Sequence, residues 1–196
     1  MSPLTIPVYF DFASTIAYVA HRVMGRVEAE LAARDLALEW RPIDLAAITG
    51  WPRGVPLPVA ARDNAARVGQ ELDVAVRVPP RWLDSRAAHA VALGLRGSAR
   101  AATWRERVWT AVFEEGRVLD DETVAALAAD LDLPLPEIDL ATVAAATRDA
   151  HEIGVSGVPT FLLDRWPMGG IQEPPTMVAL LDRFARRQRE AQTDEG

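Results

Sequence analysis

The sequence predicts an α/β protein built in the order βαβ, a block of helices, then ββα. Three observations carry that reading. A β-branched and aromatic run at Leu4–Phe10 and an alternating run at Leu36–Ile43 flank an amphipathic helical stretch. From about Val59 to Gly154 the pattern is helical almost throughout. Strand patterning then returns at Thr160–Leu163 and Trp166–Gly169, ahead of a closing helix.

In chain order, the first strand gives way to a helix capped by Ser14 or Thr15 and running to about Arg34. Val19, Val23, Val27 and Leu31, spaced by four, line its apolar face. Asp35 breaks the helix. The next strand runs parallel to the first, as a βαβ unit requires. Residues 44–58 read as a loop, because five Pro or Gly residues fall between Thr49 and Pro58. Helices are expected at 59–72, 82–95, 99–114, 121–130 and 137–153, separated by Pro79-Pro80, Gly97-Ser98, Gly116 and the Pro134–Pro136 stretch. A turn at Asp164-Arg165 joins the last two strands, and the closing helix runs from about Pro174 to Arg189. This order is a thioredoxin fold interrupted by an all-helical insertion, with residues 1–58 and 155–196 forming the thioredoxin-like domain and 59–154 the inserted one.

Composition narrows the chemistry. The 196 residues suffice for a sizeable core, and 49% hydrophobic with 25% charged residues is globular composition. A net charge of −7 argues against nucleic acid or an anionic membrane as the main partner. All 21 basic residues are Arg, so lysine Schiff-base chemistry is excluded. Cysteine is absent, which removes disulfides, thiolate metal sites and cysteine nucleophiles together. His151-Glu152 is followed by Val155 where a zinc motif needs a second His, so no metal is expected. The opening MSPLTIPVYFDF lacks the charged and apolar regions of a secretory signal, and no window approaches a membrane span; cytoplasm is the expected location.

Three stretches resemble one family. Tyr9-Phe10-Asp11-Phe12-Ala13-Ser14-Thr15-Ile16-Ala17-Tyr18 is similar to the DsbA-superfamily segment in which a strand leads into C-x-x-C; here that slot reads Ser14-Thr15-Ile16-Ala17. Asp84-Ser85-Arg86-Ala87-Ala88-His89 resembles the start of the family's inserted helical domain, and Gly154-Val155-Ser156-Gly157-Val158-Pro159-Thr160-Phe161 its G-V-x-G-V-P-T-F loop, whose proline is cis. Gly169-Gly170-Ile171-Gln172 is similar to the turn before the last helix.

Two branches compete. Serine in the first cysteine position resembles the 2-hydroxychromene-2-carboxylate isomerases and kappa-class glutathione transferases, in which that hydroxyl hydrogen-bonds the glutathione sulfur. The insertion and the Gln172 turn look closer to FrnE-like DsbA proteins. The first resemblance implies a small-molecule substrate and glutathione or another low-molecular-weight thiol. Ser14 would be the catalytic residue, and Thr15, Trp51, Val158, Pro159, Gly170 and Gln172 would bind the thiol. Trp51 stands where those isomerases carry Asn, and Gln172 where they carry Asp. The alternative is a non-catalytic protein holding a peptide or metabolite. Dimers are common among the relatives, which leaves a homodimer open.

The residues themselves allow both a chemical and a plain role. Ser14 falls where a strand ends and a helix begins, and a helix N-terminus favours an anion such as a thiolate. Serine is equally a routine N-cap. His21, seven residues on, is ~10 Å away by helical rise and too far to serve as its base. His89 among Ala and Val reads as a packed histidine, and Trp51, Trp82, Trp104, Trp109 and Trp166 as an aromatic pocket or as core. With no cysteine in the chain, insulin-reduction and disulfide-isomerisation assays are expected to show only background turnover. A rate clearly above the no-protein control, from a preparation free of contaminating oxidoreductase, contradicts this.

Overall fold

The computed structural model describes residues 3–133 and 139–194. Its elements are β1 (Leu4–Phe10), α1 (Thr15–Arg26), α2 (Glu28–Ala32), β2 (Leu36–Pro42), α3 (Leu45–Thr49), α4 (Val59–Glu71), α5 (Arg86–Gly94), α6 (Arg100–Phe113), α7 (Asp121–Asp130), α8 (Leu140–Glu152), β3 (Thr160–Leu163), β4 (Trp166–Gly169) and α9 (Pro174–Asp194). The sheet order is β2-β1-β3-β4. β1 and β2 run parallel in a register that sets Leu4 beside Leu36 and Phe10 beside Pro42, and β3 and β4 are antiparallel additions.

Alternation along β1 buries both of its faces. Ile6 and Val8 pack with Met24, Leu31, Phe161 and Leu181, beneath α1, α2 and α9. Tyr9 points the other way, into a smaller cluster with Ile43, Ala150 and Val155. Phe10 and Phe12, at and beyond the strand's end, enter the largest cluster together with Trp104, Trp109 and Phe113 of α6. The helical block therefore shares one apolar core with the first strand and helix. Trp109 is its hub, with ring centroids 4.8 Å from His21, 5.0 Å from Phe10, 5.6 Å from Phe12 and 5.8 Å from Trp40. Each such ring pair adds about 0.5–1.5 kcal/mol beyond the area it buries.

A polar network clamps the middle of α1 to α6. Glu106 accepts from Arg22 Nη1 at 2.6 Å through one oxygen and meets His21 Nε2 at 2.8 Å through the other. Arg22 also pairs with Glu114, which accepts from the Tyr18 hydroxyl at 2.9 Å. The His21 bond and Arg22 overcome burial to take Glu106 down to about 2. Burial pushes His21 below its ordinary range, and the positive charge of nearby Arg105 adds to that despite the Glu106 bond.

Four sequence-based expectations change. The first helix stops at Arg26, because Val27 leaves helical geometry (φ −115°, ψ 10°), and a separate turn, α2, follows. The 44–58 segment is not all loop: it opens with α3, and the Pro and Gly residues come after it. The helix expected at 82–95 begins only at Arg86, since Trp82 is tied to the neighbouring loop by backbone bonds with Val55 and Gly54. The helix expected at 137–153 is described from Leu140; Pro134–Ile138 lie outside the described residues. The tryptophans divide: Trp104, Trp109 and Trp82 are core, while Trp51 and Trp166 are exposed.

Candidate functional site

The end of β1 carries a buried carboxylate. Asp11 is 0% exposed, and protein groups bond both of its oxygens. Its Oδ1 accepts from the Ala13 N–H at 2.8 Å and the Ser85 hydroxyl at 2.6 Å, and meets His89 Nε2 at 3.1 Å; its Oδ2 accepts from the Leu45 N–H at 2.8 Å. One side chain thus joins the β1–α1 connection, the start of α3 and the start of α5. Burial works against the charged form, but His89, the Ser85 hydroxyl and the Ala13 N–H outweigh it and hold the carboxyl below its ordinary range. The ring of His89 also stacks on Phe12, centroids 5.2 Å apart.

The chain held this way delivers Ser14 to the N-terminus of α1. Ser14 is the N-cap: its backbone is extended (φ −87°, ψ 111°), and Oγ accepts from the Ala17 N–H at 3.2 Å. The hydroxyl keeps its own proton for a further acceptor. Thr15, the first helical residue, is buried beside it. The Thr15 and Ile16 N–H groups are among those an α-helix leaves without intrahelical partners.

The Val158–Pro159 peptide bond is cis. Tyr9 pairs with Thr160 across the β1–β3 ladder, so Pro159, one residue earlier, sits at the sheet end from which β1 runs into α1. Val158 packs on the largest core cluster and on the smaller one around Tyr9. The Pro159 carbonyl accepts from the Gly170 N–H at 2.8 Å. Gly170 takes φ +88°, a conformation that L side chains rarely adopt, which fits glycine at that turn. Val158, Pro159, Gly157 and Gly170 line an open cavity of about 260 Å³.

The structure thus joins Val158, Pro159 and Gly170 in one feature and Ser14 with Thr15 in another at the same end of the sheet. Trp51 lies on the loop after α3, 46% exposed and edge-on to Trp82 at 5.1 Å. Gln172 is exposed, two residues past the turn. Near Trp51, Arg53 pairs with Asp44 and approaches Asp84 Oδ1 at 3.5 Å, bracing that loop against the segment before α5. Sequence reasoning quoted Asp11, Ser85 and His89 within motifs but assigned them no joint role. The one signal available was two polar motifs in an otherwise apolar setting.

These features define a thioredoxin-type domain: a βαβ unit leading into antiparallel strands, a helix N-terminus at the strand end, and a proline loop beside it. The chain belongs to the family of DSBA-like thioredoxin domains, whose model matches residues 5–182. No curated protein sequence matches it. Among solved structures, it is similar to a 2-hydroxychromene-2-carboxylate isomerase, at 22% identity and TM-score 0.73, covering 98% of this chain and 100% of that one. A probable DsbA oxidoreductase from Streptomyces coelicolor matches at 21% identity and TM-score 0.73, covering 92% and 89%. The cytosolic disulfide reductase DsbM from Pseudomonas aeruginosa, solved with GSH, matches at 19% identity and TM-score 0.62, covering 93% and 100%.

Stability should follow these buried groups. Folded Asp11 binds a proton less readily than the unfolded chain does, so its contribution is complete above the unfolded value of about 4 and is lost as pH falls. His21, also lowered, contributes fully above about 6.5 and loses its contribution below that. Urea unfolding between about pH 3 and 8 should therefore show stability declining below about pH 6.5 and again below about pH 4. Asp11→Asn places an NH₂ against an N–H or loses an acceptor, and should cost about 3 kcal/mol at pH 7 while shrinking the lower decline. A flat profile, or a variant as stable as the parent, contradicts this assignment.

Proposed function

We propose that the protein is a thiol-dependent isomerase or transferase that works without a cysteine of its own. The observation that carries this reading is the Ser14 hydroxyl at the N-terminus of α1, which by motif resemblance takes the slot of the family's first cysteine. The resemblance to the isomerase supports the reaction class, and the neighbour solved with GSH supports glutathione as the thiol. That same neighbour's description as cytosolic supports a cytoplasmic location.

The residues fit a bound thiol. A thiolate there would meet the unpaired N–H groups of Thr15 and Ile16, the positive end of α1 and the Ser14 proton. The backbone of Val158 would pair with the peptide-like part of the thiol as an added strand, Gly170 would keep the loop close, and Trp51 and Gln172 would meet its ends. When bound, the thiol supplies a nucleophilic sulfur that adds to a conjugated substrate carbon, frees the adjacent carbon–carbon bond to rotate, and leaves with no net gain or loss of electrons. Ser14 holds the sulfur ionised at the start and again on departure.

Magnitudes decide what Ser14 must do. The helix terminus provides about 0.3–1 kcal/mol, less than one pKa unit. A charge-assisted hydrogen bond from Ser14 provides about 1.5–3 kcal/mol. Together they can bring a thiol of pKa about 8.5 into the neutral range. The second reading, a non-catalytic binding protein, is favoured by the capping bond, because a serine already bonded to the Ala17 N–H has a sufficient structural role.

Glutathione mixed with the protein at neutral pH should therefore gain the ultraviolet absorbance of a thiolate. Ser14→Ala should raise the bound thiol's pKa by about one unit or more, with about 1 kcal/mol of stability lost with the cap. Ser14→Cys, which puts a thiol at the same helix terminus, should show that thiol's own pKa depressed. If Ser14→Ala changes stability but neither thiol affinity nor thiol pKa, Ser14 is a cap and the binding reading replaces this one.

A further inference from the structure

A second cavity, away from the α1 N-terminus, has the make-up of a binding site. It holds about 230 Å³ between the C-terminal half of α1, α2, β2 and α6. Met24, Leu31, Leu36, Leu38 and Trp40 give it an apolar side, and His21, Glu28 and Arg105 of α6 line the rest. The Arg105 guanidinium lies over the Trp40 ring, 5.2 Å from its centroid. Its Nε is buried without a hydrogen-bond partner, and no carboxylate lies within ion-pair distance of it among the described residues. Glu106, its sequence neighbour, has both oxygens committed to His21 and Arg22. Glu28, at the rim, is exposed and makes no ion pair with it. Burial takes Arg105 down to about 10, so the cation persists at neutral pH.

The buried Nε of this guanidinium lacks a partner, and the charges of Glu106 and Glu28 act on the group without bonding it. A chamber with one apolar side and a guanidinium facing it selects a ligand with a compact apolar body and one anionic end, and a guanidinium matches a carboxylate's two oxygens. An apolar cavity of about 150 Å³ holds a benzene-sized guest, so this one has room for a ring and a short arm. Glu28 at the rim disfavours a second negative charge. We propose that this cavity binds a small monocarboxylate with an aryl or short alkyl body, its carboxylate on Arg105 and its apolar part against Leu38 and Trp40.

Calorimetric titration of the full chain with 3-phenylpropionate and with octanoate tests this and separates the aryl from the alkyl source. At least one should bind with Kd below about 1 mM, and 3-phenylpropionamide, neutral and nearly isosteric, should bind at least tenfold more weakly than its acid. Arg105→Gln should weaken the acid at least tenfold without changing the amide. Leu38→Trp, which fills the chamber and leaves Arg105 in place, should abolish binding of both. Equal affinity for acid and amide, unchanged affinity in Arg105→Gln or in Leu38→Trp, or no acid binding with Kd below about 1 mM overturns the proposal.

Discussion

The fully buried Asp11 carboxylate sits where three parts of the chain must meet. An ionised carboxylate in that setting costs several kcal/mol unless its lone pairs are filled. Four donors fill them: two backbone N–H groups, one hydroxyl and one imidazole. Two of these, on Ser85 and His89, lie more than 70 residues further along the chain, so the helical block cannot shift against the first strand without leaving the charge unpaired. The same carboxylate fixes the short path from Phe10 to Ser14 and so decides where the α1 N-terminus points.

The middle of α1 is held by a different device. His21 and Arg22 share Glu106, Arg22 also reaches Glu114, and Trp109 fills the space between them with aromatic surface. Much of that network is half-exposed, so its charges contribute less than their number implies. The apolar contacts of Trp109 and the buried bonds of Asp11 hold the helix more firmly than those ion pairs do. A helix fixed at one end by a carboxylate and along its side by an aromatic hub is a rigid support for an N-terminal binding site, which such chemistry requires.

Much of this was legible in the sequence, and the failures have physical reasons. All four strands and the parallel pair follow from β-branched and aromatic runs, alternation at Leu36–Ile43 and turn residues, and the cap falls on Ser14, one of the two residues offered for it. Asp35 and Asp164 take left-handed φ at the breaks where they were expected. The interruption of the first helix was hidden because Val19, Val23, Val27 and Leu31 all remain buried, so the spacing of four survives a break in the backbone. α3 was masked by the Pro and Gly residues that follow it. His89 was rightly read as packed, but its partner lies 78 residues away, and single-residue patterns carry no such distance information. Arg105 was equally silent: in a chain whose basic residues are all Arg, the one with its Nε buried without a partner against Trp40 is visible only in the packed structure.

Asp11 must couple these segments energetically if it sets where the α1 N-terminus points. A double-mutant cycle measures this directly: Asp11→Ala, Ser85→Ala and the double variant, each unfolded in urea at pH 7. Both residues are buried and bonded at 2.6 Å, so the double variant should be more stable than the sum of the single losses predicts, by about 1–3 kcal/mol. Losses that add to within about 0.3 kcal/mol would show that the carboxylate does not join the first strand to the helical block.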